Sequence, residues 1–342
     1  MIFVTGGTGL IGSHLLFELL ASGRRVVALK RETSHVDQVL RTFSYYTDQP
    51  EKLFQCIEWA DGDMLDYYRM EDLLDQMEEV YHCAAIISFR PGDRQQMIRN
   101  NREGTANLVN AALKNRVRKF CHVSSVAALG PDMHGSLTTE NSTWVPSKKI
   151  TGYSESKFYS EMEVWRGIEE GLNAVVINPS IVLGPGFWDN GSSRFFKTIW
   201  KGMRFYPRGV TGFVDVKDVT KAMVMLMDSE RFETTRNQRF LLNGGNYSYQ
   251  ELFNQIADAL NKERPSYYAS QFLLQLAWRG AALYGLLSGK APALTRETAT
   301  AANQRNGFDG NKITRTIHFE YTPLGKTIEQ TAKILLQEMH KG

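Results

Sequence analysis

The sequence predicts an α/β fold, a doubly wound parallel sheet followed by a smaller, mainly helical substrate-binding region. Three observations carry that expectation. Short apolar runs alternate with helical patterns from Met1 to Ser180, the rhythm of parallel strands joined by crossover helices. The first run leads straight into Gly6-Gly-Thr-Gly-Leu-Ile-Gly12 and a helical pattern, the order of strand, glycine turn and helix that a dinucleotide site needs. After Gly184-Pro-Gly186 the alternation stops, and aromatic then helical segments replace it. The expected division is a nucleotide-binding (Rossmann) domain over 1–182 and 210–245, with a substrate region over 183–209 and 246–342. A chain of 342 residues is long enough to bury both.

Met1 to Thr5 reads as the first buried strand. In the turn that follows, Gly6, Gly9 and Gly12 permit tight chain reversal and close approach, and Thr8, Leu10 and Ile11 place backbone N–H groups where a pyrophosphate would sit. Helical periodicity then covers His14 to Leu20, and Arg25 to Leu29 reads as the second strand. A site for NAD carries a carboxylate about twenty residues past the glycines; here the chain reads Lys30-Arg31. Two cations at the adenosine ribose attract a 2′-phosphate, so NADP(H) is expected in preference to NAD(H), with Glu32 the remaining route to a ribose hydroxyl pair.

A polar helical stretch covers Val36 to Tyr46, and Ile57 to Ala60 forms a third strand ahead of Gly62-Asp63-Met64. Asp63 either accepts from an adenine amino group or caps the helix predicted over Tyr67 to Met77. The fourth strand, Val80 to Ala85, ends in Cys83, Ala84 and Ala85, small enough for a cofactor to lie against backbone. Asn101 to Leu113 is helical, and Lys119 to Ser125 is a fifth strand. Ligands of such sheets gather outside the C-terminal strand ends. That places Val123, Ser124 and Ser125 at the crevice, although serine also ends strands for ordinary turn reasons. The sixth strand, Ala174 to Asn178, closes with Pro179-Ser180, and these two and Val182 are assigned to the same crevice.

From Phe187 to Tyr206 the chain is rich in aromatics. Most aromatics at this density are core, with two or three facing a ligand. Ser88, Phe187, Trp188, Arg194 and Phe213 are the substrate candidates. Val210 to Val219 and Arg239 to Asn243 are expected to return to the sheet. Phe272 to Leu287 is strongly apolar, but Arg279 interrupts it and it falls short of the roughly 20 residues a membrane span requires. A buried helix of the smaller domain is the expectation, with peripheral membrane contact as the alternative.

The chemistry centres on Thr151-Gly-Tyr-Ser-Glu-Ser-Lys157. Tyr153 and Lys157 are four residues apart at the start of a helical pattern and so share a face. A free tyrosine, with a pKa of about 10, exchanges protons poorly near neutrality. An ammonium roughly 4 Å away at an effective dielectric of about 20 favours the phenolate by about 4 kcal/mol. Tyr153 would thereby become a general acid and base.

Composition limits the partners. The net charge of +3 and the absence of long like-charge runs speak against nucleic acid. Cys56, Cys83 and Cys121 show neither disulfide nor zinc spacing, so no metal site is expected and reduced thiols in the cytosol fit best. No signal peptide is expected ahead of the first strand.

Taken together, these motifs make the chain resemble the extended short-chain dehydrogenase/reductase family, also called NAD-dependent epimerase/dehydratases. Thr5-Gly-Gly-Thr-Gly-Leu-Ile-Gly12 is similar to its T-G-x-x-G-x-x-G, Asp63-Met64 falls at its adenine contact, and His82-Cys-Ala-Ala85 at its N-A-A-G-like segment. Tyr153 and Lys157 match Y-x-x-x-K, and Ser125 stands where the family has its catalytic serine or threonine. Arg31 and Phe89-Arg-Pro-Gly-Asp-Arg94 resemble the branch of dihydroflavonol 4-reductase-like and 3β-hydroxysteroid dehydrogenase-like reductases. Leu129 departs from the family's V-Y-G tyrosine, and Asn178 from its arginine before Pro179.

The resemblance implies reversible carbonyl reduction of a small-molecule substrate. In that scheme Ser125 polarises the carbonyl, Tyr153 donates the proton, Lys157 lowers the phenol pKa and holds the nicotinamide ribose, and Asn101 supports a proton relay. It also implies pairing of two copies through helices, one of them carrying Y-x-x-x-K. The alternative on the same scaffold is an NDP-sugar epimerase or dehydratase, with Arg194 and Arg208 on a diphosphate; a non-catalytic nucleotide-binding protein is the third.

Overall fold

The computed structural model describes residues 1–130, 137–147, 150–288 and 295–341. Its first strand, β1 (Ile2–Thr5), is buried at every position, as a strand covered on both faces must be. The glycine turn leads into α1 (Leu10–Ala21), and β2 (Val26–Lys30) returns parallel to β1. Two short helices, α2 (Asp37–Phe43) and α3 (Pro50–Phe54), precede β3 (Ile57–Asp61). Then come α4 (Tyr67–Leu73), β4 (Glu79–His82), α5 (Arg94–Lys114) and β5 (Lys119–Val123). Helix α6 (Gly152–Glu169) packs along α5 and delivers β6 (Ala174–Pro179).

The next stretch holds β7 (Ile181–Leu183), α7 (Arg194–Trp200), β8 (Phe205–Tyr206) and β9 (Val210–Asp215). Helices α8 (Val216–Leu226) and α9 (Ser229–Thr235) lead to β10 (Gln238–Leu242). The remainder is β11 (Gly245–Ser248), α10 (Tyr249–Ala259), β12 (Tyr267–Tyr268), α11 (Gln271–Ser288), α12 (Arg296–Ala301), α13 (Asn311–Ile317) and α14 (Leu324–Lys341).

Among the described residues the main sheet has seven strands in the order β10-β6-β5-β4-β1-β2-β3, all parallel. This is a Rossmann-like α/β fold. The strand order reverses between β1 and β4, which opens a crevice at their C-terminal ends. Strand alternation sends Phe3, Val27, Val80, Phe120 and Val176 to one face, against Leu108 and Val109 of α5 and Val164 of α6. Val4, Ala28, Tyr81, Cys121 and Ile177 face the other way, onto Leu15 and Leu19 of α1 and Met223 of α8. Each valine, leucine, isoleucine, phenylalanine or methionine among them contributes about 1.5–3 kcal/mol by burial, and the two layers pack both faces of the sheet around the crevice.

Two expectations change. Strand β9 does not rejoin the main sheet but pairs with β7 and β11 in a small three-stranded sheet. It stops at Asp215, whose carboxylate accepts from the Lys217 N–H at 2.7 Å and starts α8, so Val216 to Val219 is helix. Nor is α11 buried: none of residues 271–281 is, and only Leu274, Gln275, Trp278 and Ala281 are half-covered, on a helix that packs against α12.

Candidate active site

At the crevice lies a cleft of about 270 Å³, lined by Gly6, Thr8, Gly9, Arg31, Asp63, Met64, Cys83, Ala84, Ala85 and Asn101 among others. The glycines are there because side chains would not fit. Gly6 has φ +70°, and a Cβ on it would lie 2.5 Å from the Ala84 nitrogen; one on Gly12 would lie 2.1 Å from the Gly6 carbonyl oxygen. Gly9 caps α1 without a side-chain hydrogen bond, which leaves the first-turn N–H groups of Leu10, Ile11 and Gly12 without a side-chain acceptor, as an anion site at a helix start requires. A backbone cradle with no room for a Cβ fits a dinucleotide pyrophosphate. Leu10, Ile11 and Gly12 themselves do not line the cleft wall.

The cation pair of the sequence splits. Lys30 pairs with Asp61 at 2.5 Å across the β2–β3 register and does not line the cleft. Arg31 does line it, with Ser34, whose hydroxyl accepts from the Arg31 N–H at 2.9 Å. Asp63 does not cap α4; its carboxylate accepts from the Leu65 N–H at 2.9 Å, and Asp66 is the cap, accepting from the Arg69 N–H at 3.0 Å.

Tyr153 sits in the first turn of α6, which starts there because Thr151 accepts from the Ser154 N–H at 3.0 Å. Its ring lies 5.6 Å from that of Phe89. Ser125 follows β5 and accepts from the Ala127 N–H at 3.1 Å. One turn along α6, the buried Lys157 donates to the Val123 carbonyl at 2.9 Å. Asn101, which lines the cleft, is held through both ends of its amide. Its Oδ1 accepts from the Ile86 N–H at 2.7 Å, and its Nδ2 donates at 2.8 Å to both the Ile86 carbonyl and the Ser156 hydroxyl.

Burial holds the Tyr153 phenol above its ordinary value of 10, and the hydrogen bond with Ser125 opposes this only in part. Lys157 is itself brought down to about 8 by burial, with Cys83 and Glu161 pulling the other way. At neutral pH the phenol keeps its proton and Lys157 is mostly charged, so the pair is set as a proton donor beside a cation.

Residues 2–238 match the model of the NAD-dependent epimerase/dehydratase family. The chain belongs to that family. Its members of the extended short-chain type are NAD(P)-dependent oxidoreductases, dehydratases and epimerases, and this chain is an enzyme of that kind. It is 31% identical over 266 residues to sterol demethylase protein B of Methylococcus capsulatus, covering 77% of this chain and 75% of that protein. It is 28% identical over 323 residues to a putative dihydroflavonol 4-reductase of Synechocystis, covering 92% and 88%. Its fold is similar to that of dTDP-glucose 4,6-dehydratase from Streptomyces venezuelae, solved with NAD bound, at a TM-score of 0.76, 18% identity and coverage of 99% and 98%.

For this family member, several sequence-predicted site residues lie elsewhere. Trp188 is buried, donates to Glu338 and packs near Phe196, and Phe213 is buried beside Tyr249. Both are core of the smaller layer, because β7, β9 and α10 close over them. Phe187 takes a left-handed turn at φ +57°, Arg194 is exposed at the start of α7, and the Ser88 hydroxyl donates to Asp93 at 2.6 Å. Ser124, Pro179, Ser180 and Val182 do not line the cleft, and neither do Val123, Ser125, Tyr153 and Lys157. The Ser124 hydroxyl instead donates to Glu161 at 2.6 Å.

Glu161 was not singled out by the sequence. It is buried one turn beyond Lys157, and its carboxylate accepts from Ser124, from Asn178 at 2.7 Å and from Trp165 at 3.0 Å, with Arg239 3.4 Å away. The signal available was the spacing, since 153, 157 and 161 continue one helical ridge. Ser34, Gly62, Leu65, Ile86 and Asn100 also line the cleft unanticipated.

Proposed function

We propose that this enzyme reduces the carbonyl of an apolar substrate, and reversibly oxidises the corresponding secondary alcohol, with NADP(H) preferred. The observation that supports the proposal is that α6 carries Tyr153 and Lys157 one turn apart, with Lys157 donating to the carbonyl of Val123 two residues before Ser125 and Ser156 hydrogen-bonded to Asn101 of the cleft lining. Gly6, Gly9, the α1 N-terminus, Arg31 with Ser34, Asp63 and Lys157 would hold the dinucleotide, which supplies the hydride when bound. Tyr153 donates its phenolic proton to the carbonyl oxygen. The Ser125 Oγ accepts from Ala127, so its own proton remains available to hydrogen-bond the same oxygen. Lys157 places a buried positive charge next to the developing alkoxide.

Phe89 beside Tyr153 and the exposed Ile86 and Ile87 give the mouth an apolar edge. The names of the two relatives, a sterol demethylase protein and a dihydroflavonol reductase, point to the same substrate chemistry. The test is to follow NADPH oxidation against a panel of ring ketones. Consumption matched one to one by alcohol product supports the proposal. Isolation with tightly held NAD, together with interconversion of NDP-sugars and no net NADPH loss, would replace it with the epimerase.

A further inference from the structure

The outer face of α11 and the two-stranded β8–β12 ribbon form a surface that the nucleotide fold does not use. Phe272 is 73% exposed, Leu276 51%, Tyr267 57% and Phe205 48%, and the Phe205 and Tyr267 rings lie 5.7 Å apart across the ribbon. On a helical wheel, Phe272, Leu273, Leu276, Ala277 and Gly280 occupy one arc. Gln271, Gln275 and Arg279 line one flank of that arc, and the half-covered Leu274, Trp278 and Ala281 lie opposite. The helix therefore has two apolar faces and spends only one on α12. A patch of this kind marks an interaction site.

Its charge says what kind. The sequence has no carboxylate between Asp189 and Asp215, and none between Glu263 and Glu297, while Lys201, Arg204, Arg208 and Arg279 are all exposed within those stretches. The flanking acids are mostly engaged elsewhere, Asp189 by Lys197, Asp215 by Thr327 and Glu297 by Arg94, which leaves Glu263 as the nearby free anion. Arg208 lies over Tyr268 and Arg279 over Trp278. Aromatic residues carrying cations at the edge of an apolar arc suit the headgroup level of a bilayer. Among the described residues no helix is long and apolar enough to cross one.

We propose that this face docks onto an anionic lipid bilayer, with Phe272, Leu273 and Leu276 entering the acyl boundary and Arg204, Arg208 and Arg279 meeting the headgroups. Helix α12, on which α11 packs, links the docked helix to the active site, because its Glu297 accepts from the Gly152 N–H at 3.3 Å, next to Tyr153. An enzyme so placed takes apolar substrate from the lipid phase. The docking itself does not depend on which reaction Tyr153 performs.

The test is co-sedimentation of the whole chain with phosphatidylcholine vesicles, with and without about one third phosphatidylglycerol. The wild type should pellet with the anionic vesicles, less so in high salt, and the F272D/L276D double variant should lose binding about tenfold or more while keeping its turnover of a water-soluble ketone. Should that variant fold poorly, quenching of Trp278 emission by brominated lipid in the wild type, compared with Trp278→Phe, decides instead. Absence of binding to either vesicle, equal binding by the double variant, or a wild-type dimer that the double variant dissociates would each overturn the proposal.

Discussion

Asn178 joins Glu161 to the backbone of Ser125: its amide donates to the Glu161 carboxylate at 2.7 Å and to the Ser125 carbonyl at 3.0 Å. The residue that departs from the family's usual arginine thus ties the loop after β5 to α6. Arg239, arriving from β10, supplies the cation at 3.4 Å. Glu161→Gln keeps the volume and weakens all of these bonds. Its kcat should fall about tenfold or more while the dinucleotide KM stays within a few-fold, since misplacement of a reacting group by about 1 Å can cost a hundredfold. Stability should drop by about 1–3 kcal/mol in urea titrations. Unchanged kcat with lowered stability would make the network purely structural.

Arg31 should control cofactor choice. With Lys30 held by Asp61, Arg31→Ala removes the cation that faces the cleft, and the KM for NADPH should rise about tenfold or more while that for NADH moves little. Equal effects on both cofactors would contradict a 2′-phosphate contact there.

Gly12→Ala should abolish dinucleotide binding. The new Cβ meets a backbone oxygen, not the end of a flexible side chain, so the turn itself must open, at about 1–3 kcal/mol of stability. Fluorescence titration with NADPH measures the first effect and thermal unfolding the second.

Acid should destabilise the fold through its buried imidazoles. Burial lowers His14 to about 4 and His82 to about 3, and lowers His122 in the same direction. Each folded-state pKa lies below the unfolded value of 6.5, so the unfolded chain binds more protons between the two. Their stabilising effect is complete above pH 6.5 and is lost as pH falls toward 4 and then 3. The urea midpoint should therefore decline steadily from pH 7 to 4; a flat profile would mean that these histidines are not held neutral.

Much of this was readable in advance for a physical reason. The glycine turn and the shared helix of Tyr153 and Lys157 obey local constraints, namely backbone room at Gly6 and Gly12 and the pitch of one helix, and local constraints show in a linear chain. What failed depends on partners distant in sequence. Lys30 meets Asp61 only through the β2–β3 register, and Glu161 meets Arg239 only once β10 lies beside β6. Trp188 and Phe213 have the composition of a ligand pocket and the location of a core, and density of aromatics cannot separate the two. The direction of the Tyr153 shift depends on how deeply the phenol is buried, which spacing to Lys157 does not reveal.

The most direct measurement is Tyr153→Phe, assayed for ketone reduction with NADPH and, in parallel, for NADPH affinity. Removing the proton donor should lower kcat by about a hundredfold to ten-thousandfold and leave the Kd for NADPH within a few-fold. Turnover close to wild type, with the phenol gone, would contradict its assignment as the acid.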